Sequence, residues 1–349
     1  MVNFIIGSAY WLPTLVPLAL EAQRKGHPCR FFYRRNLKDY ADVSHGDKET
    51  SLKQCCQRHG FQLKPIQKVK DYSGLTFLVE GDINGRSKED LTQSGLWSLG
   101  QMHQKVSLVW NFDFFWTYAK YRDDVDHVIF PNAIYATHYH LESPKNLYLG
   151  HPKYELAERI PVSDLFRKFK LKSKKSYALV FYPKYTYFKN QKVHEKDLLA
   201  LYTQLHTLGI SVLVKTRDKD DIPPGPLRGD HYFVEESIES NTSIELLRVC
   251  RIAFLFSSAA VEECVMEQVP FVDFKVHKLN RLEFLHGIHS RILAPHVIHT
   301  PVLLQNIRDL LKPEARDSLR KCRQNHLFES QGTCQRILDR FLIAGIPET

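Results

Sequence analysis

Residues 251–274, RIAFLFSSAAVEECVMEQVPFVDF, place a strand, a tight turn, a helix and a second strand within about two dozen positions. Residues 252–256 are apolar and uncharged, the pattern of a strand covered on both faces. Ser257 and Ser258 follow where a helix needs an N-cap. Residues 259–268 hold good helix formers, with Glu262 and Glu263 in the first turns, and Val269–Pro270 end the helix and open a strand over 271–274. A βαβ unit of this kind commits its part of the chain to a parallel sheet sheathed by helices. A serine-capped helix at the carboxyl end of a parallel strand predicts free backbone N–H groups at a positive dipole end. That is a phosphate site with no lysine required. A carboxylate one turn further on is placed to accept hydrogen bonds from a ribose. The alternative is an ordinary buried unit whose serines only cap the helix.

The same logic runs along the rest of the chain. Strands are expected at 3–7, 29–33, 61–65, 75–79, 106–110, 127–130 and 146–149, and helices at 13–25, 52–59 and 87–104. After 176 come strands at 177–182, 210–214 and 231–234, helices at 195–208 and 243–248, the latter capped by Ser243, and then the opening unit. Each half opens with a strand and then shares a helix–glycine–strand junction, at Gly26 and Gly209, the start of a doubly wound sheet. Residues 313–341 read as mostly helical.

Three short motifs carry a resemblance. The first is Ser257, the pair Glu262–Glu263 and Pro270, seven residues past the second Glu. The second is Gly150-His151-Pro152-Lys153-Tyr154 after a strand. The third is the basic stretch that follows and leads into a fresh strand at 177. Together they resemble GT-B-fold glycosyltransferases, and within them UDP-N-acetylglucosamine 2-epimerases and CDP-glycerol glycerophosphotransferases. The chain departs from the pattern at Phe256, where an Asp is expected, at Ser258 and Ala259, which replace glycines, at Gln268, which replaces the Gly of Gly-x-Pro, and at His151, which replaces an Asn.

The resemblance implies an α/β protein of GT-B type, with two Rossmann-like doubly wound parallel-sheet domains facing each other across a cleft. Residues 1–160 form the acceptor and catalytic domain, 161–176 a basic linker, 177–325 the nucleotide-donor domain, and 326–349 a C-terminal helix returning to the first domain. The implied activity moves a sugar from a nucleoside diphosphate sugar to a hydroxyl acceptor, with no cofactor and no metal. Glycerophosphate transfer, sugar-nucleotide epimerisation and a non-catalytic carbohydrate- or anion-binding role on the same fold stay open.

Lys215 and Arg217 are expected just past the end of a central strand, where cations reach the crevice in which open α/β sheets bind ligands. With Ser257 and Ser258 they compose a diphosphate site. Glu263 corresponds to the ribose-binding Glu of the look-alikes. The catalytic base is sought in the first domain, at Asp82, Asp113 or Glu80, each following a strand. Ser8, Tyr10 and Trp110 are expected to line the site, and the aromatic run 110–118 suits either a carbohydrate face or a core flank. His138 and His140 are expected to share one face of a strand, without a third metal ligand.

The net charge of +9 points to anionic partners: a nucleotide sugar, a glycan or lipid-linked acceptor, or an anionic membrane surface. No nucleic-acid-binding module is recognisable, and no nucleic-acid partner is expected. The run Arg167–Lys175 reads as a solvated connection rather than a binding arm. No apolar run reaches membrane-spanning length and the first residues lack a basic n-region, so a cytoplasmic protein is expected, with peripheral membrane contact as an option. The seven cysteines, without a CxxC pair, predict reduced thiols.

Overall fold

The computed structural model describes residues 1–6, 12–33, 48–66, 71, 73–79, 104–108, 125–138, 140–158, 160–182, 191–216, 222–234, 242–256, 258, 260–273, 298–299, 304–326 and 331–342. The chain divides into two compact units. The first comprises residues 1–158, 237–240 and 328–349, and the second residues 159–236 and 241–327.

The first unit is built on a seven-stranded sheet. Its strands are β1 (Val2–Ile6), β2 (Cys29–Tyr33), β3 (Gln62–Pro65), β4 (Leu75–Val79), β5 (Gln104–Leu108), β6 (His127–Phe130) and β7 (Asn146–Tyr148), in the order β3-β2-β1-β4-β5-β6-β7. Every neighbouring pair is parallel. The helices are α1 (Leu12–Arg24), α2 (Lys48–His59), α3 (Ala133–His138) and α4 (Lys153–Glu158). All five residues of β1 and of β4 are buried, as parallel strands sheathed on both faces require.

Alternation assigns the two faces. Phe4, Phe31 and Phe77 lie side by side on one face, with ring centroids 4.9 Å and 5.7 Å apart across β2-β1-β4. They pack with Leu15 and Ala19 of α1. On the other face, Ile5, Phe32 and Leu78 pack with Val128 and Phe130. That face also holds a buried polar set near the starts of the strands. Asn3 donates to Ser73 O (2.9 Å) and Thr76 Oγ1 (3.3 Å). Arg30 donates from Nε to Asn3 Oδ1 (2.9 Å) and from its Nη atoms to Asp71 (3.1 Å) and Ser73 O (3.2 Å). Buried polar atoms bonded in this way cost little, whereas any one left alone costs about 1–3 kcal/mol.

The second unit repeats the plan with β8 (Ser176–Phe181), β9 (Ile210–Thr216), β10 (His231–Val234), β11 (Ile252–Leu255), β12 (Phe271–Asp273) and β13 (Ile298–His299), in the order β10-β9-β8-β11-β12-β13, again all parallel. Its helices are α5 (Val162–Lys168), α6 (Gln191–Thr207), α7 (Thr242–Val249), α8 (Val261–Met266), α9 (Leu304–Leu310) and α10 (Pro313–His326). In both sheets the chain winds outward from a central strand and then restarts on its other side. The order reverses between β1 and β4 and between β8 and β11, the switch points at which doubly wound sheets open a crevice.

The last helix, α11 (Thr333–Leu342), belongs to the first unit. Ile337, Leu338 and Phe341 join the Phe4–Phe31–Phe77 core. Lys25 pairs with Asp339, and Arg336 donates to Leu149 O at 3.4 Å.

Several expectations need correction. Residues 161–176, read as a linker, belong to the second unit, where Lys168 pairs with Glu245 of α7. β9 runs to Thr216, two residues beyond the expected end, so Lys215 is a strand residue. β5 begins at Gln104, inside the span expected as a helix over 87–104; residues 87–103 lie outside the described set. His138 ends a helix and His140 follows it with φ +53°, so no strand presents the two rings on one face. α7 starts at Thr242, which puts Ser243 in its first turn and not at its cap.

Candidate functional site at the carboxyl edge of the second sheet

Parallel strands bring their carboxyl ends to one edge. In the second unit β9, β8 and β11 lie side by side there, with the switch point between β8 and β11. Lys215 is the penultimate residue of β9, is 5% exposed, and lies in register with Phe181 of β8 and Phe233 of β10. Its carbonyl accepts from Tyr182 N–H at 2.9 Å. The face alternates along β9: Val212 and Val214 point into the core that packs on α6, and Lys215 lies on the opposite face. A buried ammonium is expensive unless it meets an anion or acceptors. Apolar strands placed it at this edge because β9 continues pairing with both neighbours beyond Val214. Next to it, Thr216 Oγ1 lies 2.8 Å from Tyr232 OH.

At the switch point three rings meet on the α6 face. Tyr182 follows β8, Phe256 follows β11, and His194 comes from the first turns of α6. The His194 ring centroid is 5.7 Å from Tyr182 and 5.5 Å from Phe256. All three are buried. Sequence reasoning passed over this cluster. The signal was present in α6, where His194, Leu198, Leu201, Tyr202 and Leu205 fall at helical spacing on one buried stripe.

The turn after β11 differs from the expected serine cap. α8 starts at Val261 with Ala260 at the N-cap and no side-chain cap bond. Ser258 lies two residues before that N-cap. Its Oγ accepts from Ala260 N–H (3.2 Å) and its carbonyl from Val261 N–H (3.3 Å). The N–H groups of Ala260 and Val261 are thus turned onto Ser258 itself, a local turn of the kind serine favours. Of the glutamate pair, Glu262 is buried at 3% exposure and Glu263 is partly exposed. β8 separates β9 from β11, so Lys215 and the Ser258 turn are two strand spacings apart, about 10 Å.

The departures from the family pattern have local physical substitutes. Gln268, standing for a glycine, takes φ +54°. Gln268 N–H reaches Val265 O (3.1 Å) and Val269 N–H reaches Cys264 O (2.9 Å), the double bond that ends a helix on a left-handed residue. His151, standing for an Asn, offers Nδ1 to Lys153 N–H at 3.2 Å, the acceptor role an Asn side chain plays two residues upstream. Its ring lies edge-on to Tyr154 at 5.7 Å. His151 is therefore a turn residue at the head of α4.

The two parallel sheets are shared with solved structures. The chain matches the kitacinnamycin glycosyltransferase over 98% of each chain, at 9% identity and a TM-score of 0.58. It matches the UDP-GlcNAc 2-epimerase of Neisseria meningitidis, solved with UDP-GlcNAc bound, over 98% of this chain and 99% of that one, at 10% identity and a TM-score of 0.57. MurG of Acinetobacter baumannii is matched over 98% and 99%, at 12% identity and a TM-score of 0.54.

The chain has the GT-B fold.

No protein-family model matches the sequence, and no curated protein sequence does so either. The likeness to these GT-B structures is one of fold. Of the expected site residues in this GT-B chain, the structure places Lys215, Ser258 and Glu263 at the second unit's carboxyl edge. Arg217, Ser257, Ser8, Tyr10, Glu80, Asp82, Trp110 and Asp113 lie outside the described residues. In sequence, residues 8, 80 and 110 follow closely on β1, β4 and β5, which are neighbours in the first sheet. Among the described residues no three His, Cys, Asp or Glu side chains gather into a metal-binding group, and no helix is long and apolar enough to cross a membrane.

Proposed function

We propose that this protein is a glycosyltransferase that takes its sugar from a nucleoside diphosphate sugar and needs no metal. The acceptor's hydroxyl oxygen bonds to the anomeric carbon, the bond from that carbon to the diphosphate oxygen breaks, and the nucleoside diphosphate leaves. A carboxylate takes the hydroxyl proton. Asp82 or Asp113 is assigned that role, with Glu80 next. Lys215 is assigned to the diphosphate and Glu263 to the ribose, with Arg217, Ser257 and Ser258 beside them. Ser8, Tyr10 and Trp110 are assigned to the lining of the donor–acceptor cleft, and the acceptor is a glycan or a lipid-linked molecule.

The observation that supports this reading most is Lys215. A cation held almost out of solvent at the carboxyl edge, one strand from the switch point, is where the fold's ligand-binding logic asks for an anion. A diphosphate leaving group accumulates negative charge as its bond breaks, and a fixed ammonium in a low-dielectric place stabilises that charge. The match to an epimerase structure holding UDP-GlcNAc is as good as the match to a glycosyltransferase, which keeps sugar-nucleotide epimerisation as the second reading.

Calorimetric titration with a panel of nucleoside diphosphates tests the donor assignment. One of them should bind, and Lys215→Ala should weaken it about ten- to a hundredfold, the scale of a lost charge-assisted hydrogen bond. Unchanged affinity removes Lys215 from the site. Incubation of the corresponding labelled nucleotide sugar then separates the reactions: a transferase releases the nucleoside diphosphate and labels an acceptor, whereas an epimerase returns an altered nucleotide sugar. Binding with neither outcome identifies a non-catalytic binder.

A further inference from the structure

We propose that the amino-terminal edge of the second sheet is a docking surface for anionic lipid headgroups. It is built from the lysine-rich segment between α5 and β8, with Arg251 at the adjoining start of β11. This edge is opposite the one that carries Lys215, so the inference stands apart from the donor site.

The segment is a folded part of the second unit. Leu171 is buried and anchors it. Lys172 N–H donates to Tyr177 OH (2.9 Å), and the same hydroxyl donates to Lys172 O (3.1 Å). Arg251 N–H donates to Tyr177 O at 2.8 Å, which ties the start of β11 to the same place. Six cations fall between Arg167 and Lys175, and all six are exposed. Among the described residues Asp164 pairs with Arg167, Glu245 with Lys168, and Asp230 with His206. Lys170, Lys172, Lys174 and Lys175 have no ion-pair partner among the described residues, and Arg251 is exposed beside them.

This concentration is kept against two costs. Like charges so close repel one another. Lys170 also occupies the left-handed position that ends α5, at φ +54°, with its N–H on Arg167 O (3.1 Å) and Leu171 N–H on Phe166 O (2.8 Å). Glycine is the cheap residue there. A cation is held where glycine would fold better. The charges are mostly lysines, compact point charges suited to a diffuse negative surface, and not the planar guanidinium forks that read phosphates and bases.

Flotation of the full chain with vesicles tests this. The protein should float with phosphatidylcholine vesicles containing about a third phosphatidylglycerol, stay behind with phosphatidylcholine alone, and be released as salt rises to about 0.5 M. Each lysine is worth about fivefold in partition, so the combined Lys170→Ala, Lys172→Ala, Lys174→Ala, Lys175→Ala variant should lose at least about a hundredfold. Lys170→Gly separates charge from folding: it should bind vesicles about fivefold more weakly while melting at a higher temperature. Lys215→Ala should bind vesicles as the unaltered protein does. Equal binding to neutral vesicles, or undiminished binding by the four-lysine variant, overturns the proposal. So does a single-stranded RNA that binds at the same salt more tightly than the anionic vesicles and is lost in that variant; the partner is then a nucleic acid.

Discussion

Glu155 accepts a hydrogen bond from the backbone N–H of Cys334 at 2.8 Å, joining residues 179 positions apart. Both are buried. The bond meets one of the orphan N–H groups in the first turn of α11 and places a carboxylate at its positive end. It explains why the motif 150–154 matters to the first unit: the turn that His151 stabilises starts the short helix that carries Glu155.

Removing that acceptor takes a charge-assisted bond from a buried N–H. Glu155→Ala should cost about 1.5–3 kcal/mol of stability in urea. Glu155→Gln keeps an acceptor oxygen and should cost less. Amide exchange within residues 334–342 should accelerate most in the alanine variant. Uniform acceleration across the first unit, with no bias to α11, contradicts the capping account.

Gln268 and Gly229 should respond in opposite directions. A left-handed non-glycine costs about 1–2 kcal/mol, and glycine's extra freedom in the unfolded chain takes back about 0.5–1. Gln268→Gly should therefore stabilise by roughly 0.5–1 kcal/mol. Gly229 has φ +63°, and a Cβ there would meet Val212 O at 2.7 Å. That carbonyl accepts from Asp230 N–H (2.9 Å) and belongs to β9, so it cannot retreat cheaply. Gly229→Ala should lose at least about 2 kcal/mol. Thermal melts of the two variants check both signs.

Asp71 sets a pH dependence. Hydrogen bonds from Ser73, and then the Arg30 guanidinium, hold its carboxyl down at about 2. A group whose folded value is lowered contributes fully above the unfolded carboxylate value of about 3.9. That contribution disappears as pH falls from there toward 2. Asp71→Asn should flatten the stability curve over this window and leave its slope near neutrality unchanged. An identical acid limb in both proteins contradicts the link.

Turnover should survive a chelator, because the assigned diphosphate contacts are side chains. Activity lost in EDTA and restored by magnesium or manganese overturns the metal-free assignment. Glu263→Gln should weaken a nucleoside diphosphate and spare pyrophosphate. Equal weakening of both removes Glu263 from the ribose.

One of Asp82→Asn or Asp113→Asn should reduce transfer by about 10²–10⁴-fold, the worth of a positioned base. Nucleotide affinity should change little, because the residues assigned to the donor belong to the second unit. If both variants keep near-normal rates, Glu80 becomes the candidate.

The sequence by itself determined the parallel α/β character of both units. Uncharged runs such as LTFLV and IAFL, bounded by turns and alternating with helices, leave neither face suited to solvent, the pattern of doubly covered parallel strands. It also located the Lys215 edge, since strand ends follow from where apolar runs stop and polar turns begin. What only the tertiary structure decided depends on neighbours remote in sequence. β9 extends through Lys215 because β8 and β10 pair with it there, so a residue read as a loop cation became a buried one. The His194–Tyr182–Phe256 cluster needs α6 folded across two adjacent strands. The basic stretch 167–175 resembled a linker because charge runs are usually solvated; Leu171 and Tyr177 fix it against the second sheet, and local patterning cannot report an anchor supplied from the other side of a turn.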